Sequence, residues 1–101
     1  MRDHRTRVKW VFRPGYTAEQ YDAVRAACVD GEKLPETYEL WAKYALASDH
    51  RMQKLGRFVV RINIDLEPFR DWCTGHGRPL DKDARMAYAE AIGEQRRAKL
   101  S

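Results

Sequence analysis

Five cations on two short stretches are the side chains best suited to chemistry here, and that chemistry is the holding of phosphate. Arg7, Lys9 and Arg13 alternate with Val8, Trp10 and Phe12; Arg57 and Arg61 alternate with Phe58, Val60, Ile62 and Ile64. Successive side chains of a strand point to opposite faces, so each stretch has one apolar and one cationic side. Paired, the two strands would gather Arg7, Lys9, Arg13, Arg57 and Arg61 on one face, with Val11, Val59 and Asn63 between them and no acid. Lysine and arginine on a two-stranded ribbon can follow phosphates, and such a ribbon fits a major groove. No aromatic side chain interleaves the cationic face, so phosphate tracking is expected rather than base stacking. The same cations also suit a different purpose. Charges on an exposed ribbon oppose edge-to-edge pairing, and they could neutralise acidic helices of the same chain.

Other reactive side chains form weaker patterns. Cys73 and His76 have metal-ligand spacing, with Asp71 nearby, but a structural zinc site wants four ligands. Cys28, His50 and His4 have no local support as the rest of such a set. No metal and no cofactor is therefore expected, and Cys73 reads as a small buried hydrophobe beside Trp72. There is no oxyanion-hole signal, no nucleophile elbow and no glycine-rich phosphate loop, so no enzyme is expected. Lys82 and Arg85 stand in the first turn of the last helix, where a helix-turn-helix protein would read DNA. Asp81 and Asp83 share that turn and would repel phosphate, which favours a plain helical hairpin. Trp10, Trp41 and Trp72 read mainly as core. Tyr38 and Trp41, on an acidic helix, are the expected interface residues, since tryptophan is enriched where proteins meet.

The elements that must position these residues follow from local signals. Pro14-Gly15 is a turn. Thr17 through Gln20 reads as a capping box, with Tyr16 and Tyr21 as a hydrophobic staple, opening a helix that should reach about Val29. A second helix begins near Pro35-Glu36. Its stripe is Tyr38, Trp41, Ala45, Ser48, Met52 and Leu55, with Leu40 and Tyr44 beside it, and it stops at Gly56. After the second strand, Asp65 suits an N-cap, and Pro68 is tolerated in the first turn of a short helix ending near Thr74–Gly77. Asp81 caps the last helix, whose apolar face should be Ala84, Ala87, Tyr88, Ala91 and Ile92.

The expected fold is a single α+β domain over 1–101 with the order β-α-α-β-α-α and a two-stranded ribbon on four helices. An up-down path through two helices makes the ribbon antiparallel, with a parallel crossover left open. Residues 1–6 read as a basic arm and 96–101 as a fraying end. The chain has 101 residues and a net charge of +4. That charge is unevenly spread: residues 1–13 carry a net +4, 14–50 a net −4, 51–70 a net +3 and 71–101 a net +1. Such polarity suits a polyanion or attraction between copies, and a domain this size gains burial from dimerising. No apolar run long enough to span a bilayer is present, no secretory signal is expected, and two cysteines suit a cytoplasmic setting. The expectation is thus a small non-enzymatic binding protein, a homodimer, with nucleic acid as partner. The alternative is a protein-interaction or regulatory module, an inhibitor or adaptor of mobile-element type, that meets an acidic protein surface or its own copies without touching nucleic acid.

Overall fold

The computed structural model describes residues 9–100. Arg7 and the 1–6 segment lie outside them. The elements are β1 (Lys9–Gly15), α1 (Ala18–Ala27), α2 (Tyr38–Lys54), β2 (Arg57–Asn63), α3 (Leu66–Gly75) and α4 (Lys82–Leu100), with a 3-10 turn at Gly31–Lys33 before α2. The α+β class and the order of elements are as the sequence implies. The final helix stays helical through Leu100.

Local chemistry accounts for the boundaries. The Thr17 hydroxyl accepts from the Gln20 N–H at 3.2 Å, and the Tyr16 and Tyr21 rings meet edge to face with centroids 5.4 Å apart. The Gln20 side chain does not complete the capping box. Its Oε1 instead accepts from the Leu66 N–H at 2.9 Å, so it satisfies the first turn of α3 and ties that helix to α1. Thr37, rather than the residues around Pro35, caps α2 by accepting from the Leu40 N–H at 3.1 Å. Asp81 caps α4 by accepting from the Ala84 N–H at 2.9 Å.

The strands pair in parallel, not antiparallel, in the register Lys9 opposite Arg57, Trp10 opposite Phe58 and Arg13 opposite Arg61. The chain departs from an up-down path at residues 28–37. An alternating path needs α1 and α2 to form a tight hairpin. Instead the link folds back along α1: the Tyr21 hydroxyl donates to the Pro35 carbonyl at 2.7 Å, and Arg25 Nε donates to the Leu34 carbonyl at 3.3 Å. Gly56, at φ +79°, then turns the chain from α2 into β2 in a backbone region that favours glycine.

A parallel pair requires a crossover, and the crossover covers a face. Here α2 packs on β2 on its cationic side, while α4 packs on both strands. The main core gathers Tyr21, Val24, Ile64, Phe69, Cys73 and Ala84 between the helices, with Trp41 and Trp72 against it. A smaller cluster holds Phe12 and Ile62 against Ala89, with Val60 and Ile92 alongside. The buried face of α4 is Ala84, Arg85, Tyr88, Ala89 and Gly93; Ala91 is exposed.

A candidate anion-binding cleft

The cationic side of the sheet divides into two halves with different surroundings. At its start, Lys9 is exposed and Arg57 half-buried, and together with Arg13 they border a groove that also holds Glu90 and Glu94 of α4. That groove is of mixed charge. Further along, Arg13 and Arg61 stand opposite each other, and neighbouring like charges on paired strands repel.

Arg61 is neutralised at home. Its Nη2 lies 2.6 Å from Asp49 of α2, its Nη1 donates to the Pro14 carbonyl at 2.8 Å, and its guanidinium stands over the Trp41 ring at 5.8 Å. It thereby bridges β2, β1 and α2. Arg13 has no such set of partners. Its Nε is buried with no hydrogen-bond partner among the described residues.

Both arginines border a cleft of about 310 Å³. A third arginine enters it from α4. Arg85 is only 4 % exposed, and its Nη1 donates to Asp30 at 3.0 Å. The other oxygen of Asp30 accepts from the Lys82 N–H at 2.9 Å, so this carboxylate sits against the positive end of α4. Burial pushes the Asp30 carboxyl up, but the bonds from Arg85 and from the Lys82 N–H outweigh it and hold the group below the usual carboxylate range. Lys33 and Lys82 complete the charged lining; neither makes an ion pair among the described residues. The remaining walls are apolar: Pro14, Leu34, Trp41 and Met86.

Tyr16, nearly buried, also lines the cleft. Burial pushes its phenol up to about 12, against the pull of Arg85. At neutral pH it is therefore a neutral O–H donor. Burial likewise raises the Cys28 thiol against Arg85, and the Cys73 thiol against Arg78, which leaves both as unreactive small hydrophobes.

Of the residues singled out by spacing, the structure brings Arg13 and Arg61 into the cleft, keeps Lys9 and Arg57 at the other end of the strands, and leaves Arg7 outside the described residues. Tyr38 and Trp41 do not stand out as an exposed interface. Both are half-buried, with Trp41 edge-on to Tyr16 at 4.9 Å and Tyr38 edge-on to Tyr21 at 6.1 Å. Cys73 is fully buried, and His76 stacks on Trp72 at 4.1 Å. No group of three or more His, Cys, Asp or Glu side chains converges among the described residues. No helix among them is long and apolar enough to cross a membrane.

Sequence reasoning missed Arg85, Tyr16 and Lys33 as partners of the strand cations. Arg85 carried a usable signal: it lies three and four residues before Tyr88 and Ala89, hence on the buried face of α4. Lys33 carried none, because a 3-10 turn brings it to the cleft. No family model, curated protein or solved structure matches this chain, so its site is read from its own geometry.

Proposed function

We propose that this chain is a non-enzymatic binding protein for a phosphate-bearing polyanion, with nucleic acid as the partner. The observation that supports this reading is the convergence of Arg13, Arg61 and Arg85 with Lys33 and Lys82 on one cleft, where Asp49 and Asp30 balance only Arg61 and Arg85. Arginine forks match phosphate oxygens in geometry as well as charge. Lys9 and Arg57 stand further along the strands, in the groove they share with Glu90 and Glu94, and add cations there. At a rise of ~3.3 Å per residue, Lys9 lies roughly 13 Å from Arg13, a distance that suits separate phosphates of one strand.

The test is binding of the purified protein to duplex DNA, single-stranded DNA and RNA over a salt titration. Phosphate contacts give a log–log slope of ~0.9 per contact on duplex. Arg57→Gln should weaken binding on all sequences alike and reduce the slope by about one unit. Absence of binding at low salt would overturn the reading.

One observation favours a second reading, a protein-interaction module that pairs with its own copies. Trp10 and Phe58 are opposed on the sheet, 42 % and 44 % exposed, with ring centroids 5.1 Å apart. Trp10, with Leu100, borders an apolar groove edged by Arg96 and Arg97, and Phe58 lies beside it against the Trp10 ring. The outer side of α2 carries exposed Leu40 and Tyr44 beside Glu39, with Glu36 exposed just before the helix.

A further inference from the structure

We infer that the cleft receives a terminal phosphomonoester of nucleic acid together with its own nucleotide, in preference to an internal phosphodiester. This rests on the polyanion reading and names the part of the polyanion that enters.

Size limits the occupant. At about 310 Å³ the cleft lies at the low end of the roughly 300–1,000 Å³ of small-molecule pockets. That is room for about one nucleotide.

Charge selects its ionic form. Asp30 and Asp49 neutralise Arg85 and Arg61. Arg13, Lys33 and Lys82 then remain on the lining without an ion pair among the described residues. A phosphomonoester carries a charge of about −1.5 to −2 at neutral pH, whereas a diester carries one. Three surplus cations therefore favour the end group over an internal link.

Hydrogen-bond donors select a compact acceptor. Arg13 lines the cleft without the acceptors that hold Arg61, so its guanidinium gains most from an oxygen delivered there. Tyr16, an un-ionised phenol at neutral pH, lines the same space and brings no negative charge to it. The apolar walls, Pro14, Leu34, Trp41 and Met86, face an attached nucleoside better than they face a bare inorganic ion.

The experiment compares short single-stranded oligonucleotides of one sequence bearing a 5′-phosphate, a 3′-phosphate or only hydroxyl ends, by fluorescence anisotropy at fixed salt. Adenosine monophosphate and adenosine serve as competitors. The expected result is at least tenfold tighter binding of one phosphorylated end than of the hydroxyl form, with competition by the monophosphate alone. Arg13→Gln and, independently, the exposed Lys33→Ala should each shrink that ratio, while Arg57→Gln should leave it and lower all affinities together. Equal binding of every end would overturn this inference and leave the polyanion reading standing. Failure of all the oligonucleotides to bind at low salt would overturn both.

Discussion

Arg13 and Arg61 share a register and a residue type but have opposite roles, and their neighbours decide which is which. Arg61 holds β2, β1 and α2 together through Asp49 and the Pro14 carbonyl, so its charge is already committed. Arg61→Glu places a carboxylate against Asp49 and should lower Tm, by about 1–3 kcal/mol of stability, before any effect on binding can be read. Arg13→Gln removes a buried donor that has no acceptor, and should leave Tm unchanged or raise it while weakening polyanion binding. Thermal melts of the two variants check this directly; a destabilised Arg13→Gln with an indifferent Arg61→Glu would reverse the assignment. The Asp30–Arg85 pair makes a pH-dependent prediction. Asp30 titrates below its ordinary value in the folded state, so its contribution is fully present above the unfolded pKa of about 3.9 and is lost as pH falls through the folded value. Asp30→Asn leaves Arg85 buried without its counter-charge and should cost about 3 kcal/mol at pH 7. The gap between wild type and variant should begin to narrow below about pH 4 in urea melts and go on narrowing as pH falls through the lower folded value; a gap that stays constant into that acid range would mean that the pair contributes no ionic stabilisation.

At the scale of elements, the parallel pairing and the covering of the cationic face are a single fact. A hairpin would have left that face open, and the crossover through α2 lays a helix on it. The contact of α4 with the strands depends on Gly93. A Cβ built there would run into the Phe12 ring, so the helix axis lies closer to β1 than any larger residue allows. In sequence, this glycine reads as a mild fault in a helix. In the fold it sets the helix–sheet distance. Gly93→Ala should therefore destabilise by about 1–3 kcal/mol through overpacking, despite the better helix propensity of alanine. A raised Tm would show that Phe12 moves aside at no cost.

For the molecule as a whole, the acidic block and the basic blocks fold against each other. Asp49 takes Arg61 and Asp30 takes Arg85, which removes much of the charge polarity seen along the chain. What survives is a cationic cleft on one side and an apolar, arginine-edged groove on the other. If copies associate through that groove, Trp10→Lys should shift the sedimentation coefficient to that of the monomer and leave the salt slope of nucleic-acid binding unchanged. An unaltered assembly would remove the second reading.

The α+β class, the element order, the Thr17 and Asp81 caps and the apolar face around Phe12 and Ile62 were determined by the sequence alone. Each depends on side chains a few residues apart, whose periodicity and capping chemistry are local. Strand direction, the burial of Arg61 and Arg85 and the membership of the cleft were decided only by tertiary structure. They turn on where residues 28–37 send the chain. That path is set by two bonds to the backbone carbonyls of Leu34 and Pro35, donated by side chains on α1. Arg25 and Tyr21 could be read in the sequence, but a backbone acceptor has no residue identity from which the bond could be read in advance. Long-range charge pairing follows from the same path. An aspartate at 30 or 49 can neutralise whichever arginine the fold brings within reach, and linear spacing says nothing of which one that is.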